Sequence, residues 1–277
     1  MNLAIRVKPG STCDLDQTTT RGDDSVDKTR AREKTDALGV ELAELADLLF
    51  YAGQQGLLIV LQGRDTSGKD GTIRTLLRYL NAQSTRVCPF KVPTDAELSH
   101  DFLWRCHAKT PGRGEIVVFN RSHYEDVLVV RVRKLVEEAV WKKRYGHVND
   151  FERLLVDEGA IVVKAFLHIS KEEQEERLLA RERDVEKAWK LNVGDWIERE
   201  HWDEYTEAYE AALSRCSTEW APWHVVPADR KWLRDLAVLE LLVETLRPYR
   251  EGWLEYLEEL GDAARGELEA YRKGRRA

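Results

Sequence analysis

Apolar residues along the chain follow two kinds of spacing. Leu38, Leu42, Leu45 and Leu49 recur three or four positions apart, which predicts one amphipathic helix over residues 28–54. From Leu57 onward, short continuous apolar runs alternate with segments of helical spacing. Because strands that alternate with helices form parallel sheets, this order predicts an α/β fold in which a five-stranded parallel sheet is sandwiched by helices.

The predicted elements cover the chain from residue 28 onward. The strands span residues 57–62, 85–88, 115–119, 161–168 and 223–226. The later helices span residues 69–81, 96–108, 124–143, 149–158, 171–183, 195–213, 232–246 and 251–273. Residues 1–27 show no apolar period, and we expect them to be an irregular segment ahead of a single domain at 28–277.

Composition and charge narrow the class of protein. The chain has 277 residues, 43% of them hydrophobic and 34% charged, and no apolar run approaches the ~18 residues of a membrane span. We therefore expect a globular, cytoplasmic protein with no membrane partner. The four cysteines form no C-x-x-C pair, which favours free thiols over a zinc site. The formal charge of −7 argues against nucleic acid as a partner, so a phosphate-rich substrate would require a local basic groove.

One loop carries the strongest chemical signal. Gly63, Gly68 and Lys69 have the Gly-x4-Gly-Lys spacing of a phosphate-binding loop, directly after an apolar strand and before a helix. The alternative is a plain glycine-rich turn. Asp70 stands where such loops usually carry Ser or Thr, and Asp65 adds an acid inside the loop, so a metal ion would be held differently. We expect phosphate to bind along the loop, at Gly63, Arg64, Thr66, Ser67, Gly68, Lys69, Asp70 and Gly71.

The third apolar strand ends at a second candidate cluster. Phosphate-loop proteins usually present a carboxylate to magnesium here, whereas this chain has Asn120. The missing charge could come from Glu125, Asp126 or Asp65. Arg121 could stabilise a phosphoryl group during its transfer, or it could simply form a surface ion pair with Glu125, four residues later.

A third cluster is basic. Arg177 and Arg181 share a helix face, and Arg183 and Lys190 follow them. Guanidinium groups grip phosphates with two hydrogen bonds, so this spacing favours a phosphate-binding lid over residues 177–200. Glutamates are interleaved with these cations, so a solvated helix with many ion pairs is the alternative.

Together these clusters resemble the polyphosphate kinase 2 family. The resemblance runs from about residue 28 to 246. Its ordered motifs are the loop at 63–71, Phe-Lys-Val-Pro-Thr-Asp at 90–95, Phe-Asn-Arg-Ser-His-Tyr-Glu-Asp at 119–126, Arg-Glu-Arg-Asp at 181–184, Trp-Lys-Leu at 189–191, Trp-Asp-Glu-Tyr at 202–205 and Ala-Pro-Trp at 221–223. It implies a P-loop kinase fold similar to thymidylate kinase, with a helical lid. It also implies transfer of phosphoryl groups between inorganic polyphosphate and nucleotides, with Mg²⁺ or Mn²⁺.

The resemblance assigns roles residue by residue. Asn120 departs from the Phe-Asp-Arg-Ser motif of many members and matches a subgroup, class III, that accepts nucleoside mono- and diphosphates. Catalytic roles are implied for Lys69, Asp65, Arg121 and Arg181, and metal binding for Asp65 and Glu125. Polyphosphate contacts are implied for the loop and for Arg177, Arg181, Arg183 and Lys190, and nucleotide contacts for Lys91, Asp95, Asn120, Arg121 and Glu125. The expected partners are polyphosphate with AMP or ADP, or with GMP or GDP, in a homo-oligomer (dimer or tetramer).

Two other functions compete with this interpretation. An ATP-dependent kinase of the same fold would phosphorylate a nucleoside monophosphate or a small metabolite, and it would need a base pocket beside the loop. Polyphosphate instead needs an open basic groove, which we expect to be lined by Lys69, Arg121, Arg177, Arg181 and Arg183. A nucleotide-dependent switch would carry an Asn-Lys-x-Asp motif, which this sequence lacks. His123 is expected to pack or hydrogen-bond rather than to act as a base.

Overall fold

A computed structural model describes residues 3–183 and 192–274 of the chain. Its strands are β1 (Ile5–Arg6), β2 (Gly56–Gly63), β3 (Thr85–Pro89), β4 (Ile116–Asn120), β5 (Ala160–His168) and β6 (Trp223–Pro227). They form a six-stranded sheet in the order β1-β6-β5-β2-β4-β3. The five predicted strands are confirmed, and they pair in parallel. The predicted total of five is wrong, because β1 adds a sixth strand, antiparallel to β6.

The extra strand lies inside the N-terminal segment that we expected to be irregular. It has only two residues, Ile5 and Arg6, and both are exposed. Two exposed residues leave no alternation of apolar and polar positions, so no pattern could predict them. The rest of the segment runs over the sheet edge, where the carbonyl oxygens of Leu15 and Thr18 lie 3.0 and 3.2 Å from His168 Nε2.

The α-helices alternate with the strands. They are α1 (Lys28–Ala52), α2 (Lys69–Leu76), α3 (Asp95–Leu98), α4 (Trp104–His107), α5 (Val129–Val132), α6 (Glu138–Asp157), α7 (Lys171–Arg183), α8 (Val193–Glu200), α9 (Trp202–Arg215), α10 (Lys231–Leu246) and α11 (Arg250–Gly274). A 3₁₀ helix spans His123–Val127 and another spans Arg247–Tyr249. Within residues 3–183 and 192–274, none of the helices combines the length and apolarity needed to cross a membrane.

Four predicted helices have other bounds in the structure. The helix expected over 96–108 is split into α3 and α4, because the Asp101 carboxylate accepts the N–H groups of Leu103 and Trp104 and starts a new helix. The helix expected over 195–213 breaks at His201, between α8 and α9. The stretch expected as helices over 124–143 and 149–158 is instead a 3₁₀ helix, α5 and the 20-residue α6.

Both faces of the sheet are covered. Leu57, Ile59 and Leu61 of β2 belong to a core shared with α1, α2 and α10, whereas Leu58 and Val60 belong to the opposite core, shared with α6 and α9. This alternation is the side-chain period of a strand buried on both faces. All four cysteines are free, as predicted.

The strand order brings the predicted motifs to one edge. β2 and β4 are parallel neighbours, with Leu61 opposite Asn120, and the Arg121 N–H donates to the Leu61 carbonyl at 3.1 Å. The carboxyl ends of parallel strands meet at one edge, which is where open α/β sheets bind their ligands. The loop that follows β2 and the motif that ends β4 therefore face a common space.

Candidate active site

The loop between β2 and α2 is tightly folded against α10. Thr66 and Gly68 have φ values of 63° and 106° in the left-handed region. A Cβ at Gly68 would collide with the guanidinium of Arg234 from α10. Glycine is therefore needed at position 68 both for its backbone conformation and for the close approach of this arginine.

Lys69 occupies the inside of the loop. Its Nζ donates to the carbonyl oxygens of Gly63 at 2.6 Å and Arg64 at 3.1 Å. The side chain is buried, and burial, together with the nearby positive charge of Arg121, lowers the pKa of Lys69 to about 8. The ammonium group is thus held by two neutral acceptors, which an anionic ligand could replace.

Two hydroxyl groups of the loop face inward without a hydrogen bond. The Oγ1 of Thr66 and the Oγ of Ser67 are buried, and neither has a hydrogen-bond partner among the residues that the structure describes. A buried polar atom without a partner costs free energy unless a ligand or water satisfies it. These hydroxyls suit the oxygen atoms of a bound phosphate.

Arg121 joins the strand end to the loop. Its Nη2 donates to Asp65 Oδ1 at 2.6 Å, and its Nη1 donates to Glu125 Oε2 at 3.1 Å. The two carboxylates, Glu125 most strongly, raise the pKa of Arg121, so the guanidinium stays charged. The ion pair with Glu125 that we named as the alternative does form, and Arg121 also reaches the loop.

Asn120 lies at the same edge, at the end of β4. Its Nδ2 donates to Asp70 Oδ1 at 3.0 Å. The amide at the strand end and the acid that follows the loop lysine are therefore partners across the site.

The basic residues of α7 have different surroundings. Arg177 is buried, and its guanidinium donates to four backbone carbonyl groups, those of Thr66, Ser67, Ala228 and Asp229. Arg181 pairs with the Asp195 carboxylate of α8 at 2.9 Å, and Arg183 is exposed. Lys190 lies outside the described residues. In this conformation Arg177 supports the loop, and its contact with phosphate stays a prediction.

Arg64 points away from the other loop residues. Its Nη2 donates to the Trp202 carbonyl at 3.0 Å and to Thr206 Oγ1 at 2.6 Å. The guanidinium carbon lies 3.7 Å from the centre of the Trp202 ring. Arg64 thus fastens the loop to α9, whereas we had expected it to bind phosphate.

Of the two residues predicted to position the acceptor, Lys91 lines the cleft and Asp95 does not. Lys91 lines the same cleft as the loop, and its carbonyl accepts a hydrogen bond from Arg105 at 2.8 Å. Asp95 is exposed at the first position of α3. Thr94 caps this short helix through a reciprocal pair of hydrogen bonds with Glu97, which fixes where the helix begins.

His123 has the surroundings of a packing residue. It is buried, with Nε2 3.1 Å from Glu152 Oε1, and burial lowers its pKa. Glu152 also accepts a 2.5 Å hydrogen bond from Lys164, which is buried as well. This ionic cluster joins the 3₁₀ helix that follows β4 to α6 and β5.

A cleft of about 490 Å³ lies beside the phosphate loop. Its lining residues include eight basic side chains and two acidic ones, Asp65 and Asp70. The basic side chains are those of Lys69, Arg74, Lys91, Arg121, Arg177, Arg181, Lys231 and Arg234. Four of the five cations that we expected in a polyphosphate groove are therefore brought together in a chain whose formal charge is −7.

Sequence reasoning missed the contribution of α10. Arg234 is buried, lines the cleft and donates to the Asp235 carboxylate, which also accepts hydrogen bonds from Thr72 and Thr75 of α2. The signal in the sequence is faint: adjacent charged residues, Arg234 and Asp235, near the start of a mostly apolar helix.

Comparison with known proteins identifies the family of the chain. The family model "Polyphosphate kinase 2" matches residues 25–251. The chain is 52% identical, over 79% of its length and 82% of the relative's, to an AMP/ADP-polyphosphate phosphotransferase from Meiothermus ruber. It is 43% identical, over 77% of its length and 78% of the relative's, to an ADP-polyphosphate phosphotransferase from Rhodopseudomonas palustris.

The fold of the chain is also similar to that of a solved structure. The crystal structure of polyphosphate kinase 2 from Arthrobacter aurescens TC1 superposes with a TM-score of 0.83 at 42% sequence identity. The superposition covers 89% of this chain and 88% of that one. With the family model, the relatives and the architecture in agreement over most of its length, the chain belongs to the polyphosphate kinase 2 family.

Proposed function

We propose that the cleft transfers phosphoryl groups reversibly from inorganic polyphosphate to nucleoside mono- and diphosphates, converting AMP to ADP and ADP to ATP. The protein is a polyphosphate-dependent nucleotide kinase. The observation that carries the proposal is the convergence of eight basic side chains on the phosphate loop. Because a polyphosphate chain carries charge along its whole length, it needs cations on several sides of the reacting group.

The cations come from separate elements around the loop. Arg74 of α2 and Arg234 of α10 line one part of the cleft, Lys91 and Arg121 follow β3 and β4, and Arg181 belongs to α7. Such an arrangement suits a chain of phosphates passing the loop. The arrangement supports polyphosphate as the donor over ATP, and it fits a P-loop kinase architecture similar to thymidylate kinase.

The loop would bind the transferred phosphate and its neighbour. Lys69 can exchange the two carbonyl groups that hold it for phosphate oxygen atoms, and the Thr66 and Ser67 hydroxyls can donate to the same anion. Arg121 would neutralise the negative charge of the phosphoryl group during its transfer. Phosphoryl transfer has a loose transition state, so positioning and positive charge supply most of the acceleration. The acceptor is itself an ionised phosphate, so the reaction needs no general base.

The acids of the site fit a divalent cation. Within the described ranges, no cluster of three or more His, Cys, Asp or Glu residues could hold a metal by itself. Asp65 and Glu125 nevertheless converge on Arg121, and Mg²⁺ commonly binds one or two carboxylates together with substrate phosphates. We therefore assign Mg²⁺, or Mn²⁺, to Asp65 and Glu125. When bound, the ion would neutralise and orient phosphate oxygens.

The acceptor would lie beside β3 and β4. Lys91 and Asn120 line the cleft, and Glu125 follows β4 in the next 3₁₀ helix, which supports contacts of these residues with the phosphate of AMP or ADP. Asp95 is exposed at the start of α3 and would contact the acceptor from there. Guanine nucleotides are a further acceptor class for the same site.

One assay tests the proposal. The protein is incubated with AMP, Mg²⁺ and polyphosphate without ATP, and the nucleotides are separated by chromatography. ADP followed by ATP is the expected result, with no product from the Lys69→Met variant. Product formed from AMP and ATP when polyphosphate is omitted, with none from polyphosphate, would establish the rival ATP-dependent kinase instead.

A further inference from the structure

The last helix extends away from the core about a third of the way along its length. Near its start, Trp253 is 1% exposed and Leu257 packs on the core. From residue 258 to 273 every residue except Gly261 is exposed. Helices of about 12–15 residues are only marginally stable in water without packing. Residues 252–274 also lie beyond the span of the family model, which ends at residue 251.

The exposed part of α11 carries an apolar stripe. Leu257, Leu260, Ala264, Leu268 and Tyr271 follow one another at spacings of three, four, four and three, which keeps them on one helix face. Leu260 is 46% exposed, Leu268 51% and Tyr271 57%. The stripe therefore extends the face that begins in the core with Trp253 and Leu257.

The spacing of the apolar residues in the stripe is symmetric about Ala264. If two copies of α11 pack antiparallel with Ala264 at the centre, Leu260 of one copy lies opposite the partner's Leu268. Leu257 then lies opposite the partner's Tyr271, at the margin of the core. The small side chain of Ala264 meets its own copy on the symmetry axis and allows a close helix approach. Self-complementarity of this kind is what a two-fold interface requires.

Charge along the helix favours the same orientation. Residues 250–263 contain five acidic residues and one basic residue, whereas residues 265–274 contain three basic residues and two acidic ones. Antiparallel pairing places each acidic half against a basic half, and parallel pairing would place like charges together. Glu258 and Arg272 stand six residues before and eight residues after Ala264, on the same flank of the stripe.

We infer that α11 is a self-association surface, and that its occupant is α11 of a second copy of this chain, packed antiparallel about Ala264. The inference is independent of the phosphotransfer proposal, because it uses none of the residues of the cleft. The pairing would bury the exposed leucines and extend each helix's support past residue 258.

Sedimentation equilibrium of the full chain tests the surface. The Leu260→Glu/Leu268→Glu variant places charges on the stripe and is expected to halve the mass of the wild-type assembly. The matched control, Ala263→Glu/Ala270→Glu, adds the same charges to the same helix, but about 100–120° around the helix from Ala264 at the centre of the stripe, and should keep the wild-type mass. A wild-type mass of one chain, 32.0 kDa, at all concentrations would overturn the inference. So would an unchanged mass in the leucine variant.

A charge exchange tests the orientation. Arg272→Glu should weaken self-association, because it sets an acid against the partner's Glu258. Adding Glu258→Arg should restore the wild-type dissociation constant in an antiparallel pair. Failure of the double variant to recover would exclude the antiparallel arrangement. Phosphotransfer per chain should match the wild type in both variants, since neither changed position lines the cleft.

Discussion

The Asn120 amide donates a 3.0 Å hydrogen bond to the carboxylate of Asp70, and the two residues occupy positions whose usual chemistry is exchanged. Phosphate loops commonly carry a hydroxyl after the lysine and a carboxylate at the facing strand end. Here the acid is in the loop and the neutral amide is on the strand. The site therefore keeps one negative charge between the two positions, which explains why each departure occurs beside the other.

Exchanging these two groups is the first prediction. Asn120→Asp alone would set two carboxylates about 3 Å apart, and their repulsion would raise the pKa of one of them. We expect kcat/KM for AMP and ADP to fall by about tenfold, which corresponds to ~1.4 kcal/mol, and the preference between them to change. Adding Asp70→Asn removes the repulsion and should recover most of the loss. Equal activity of the single variant and the wild type would show that these groups do not act together.

Lys69 gives a pH-dependent prediction. Burial lowers the pKa of Lys69 to about 8, from its ordinary value of 10.5, so above pH 8 the free protein progressively loses the ammonium that an anion needs. The dissociation constant for polyphosphate, measured by calorimetry in the absence of nucleotide, should be flat below about pH 7 and should rise toward tenfold per pH unit above 8. Lys69→Met should bind weakly without this dependence. A flat wild-type profile to pH 9.5 would contradict the prediction.

Local patterns explain how much of this site the sequence could reveal. The loop at Lys69 and the strand end at Asn120 are contiguous motifs, and parallel strand order brings them to one edge. Arg64 and Arg177 show the limit of such patterns, because the contacts that join each of them to the rest of the site connect residues more than a hundred positions apart along the chain, Arg64 with Thr206 and Arg177 with Thr66. Guanidinium groups near a phosphate loop can bind the ligand or brace the loop, and only the tertiary contacts distinguish these roles.

Prediction of the fold from the sequence has a similar limit. Long apolar periods located the five parallel strands and α1, whereas the breaks before α4 and at His201 depend on single hydrogen bonds and short turns. Arg234 was missed because its contact with the loop depends on how α10 packs against α2. Spacing along one helix carries no information about such a neighbour.

The buried ion pair between Lys164 of β5 and Glu152 of α6 gives a stability prediction. Lys164 Nζ donates to Glu152 Oε2 at 2.5 Å, to the Tyr124 hydroxyl at 2.8 Å and to the Cys216 carbonyl at 2.6 Å. Removing one charge leaves the other buried without its partner, so Lys164→Met should lower the free energy of unfolding by about 3–5 kcal/mol. Lys164→Met/Glu152→Leu should lose less than the sum of the single losses. Urea unfolding measures all three, and strict additivity would show that the pair is not coupled.

Arg64 distinguishes bracing of the loop from direct contact with phosphate. Arg64→Ala removes two hydrogen bonds and the stacking on Trp202, and should lower the free energy of unfolding by about 2–3 kcal/mol. We expect kcat to fall, because the Arg64 carbonyl holds Lys69, while KM for polyphosphate stays near the wild-type value. Arg64→Lys should not rescue kcat, since an ammonium cannot reproduce the planar stack. A raised KM with unchanged stability would instead place the Arg64 side chain on the polyphosphate chain.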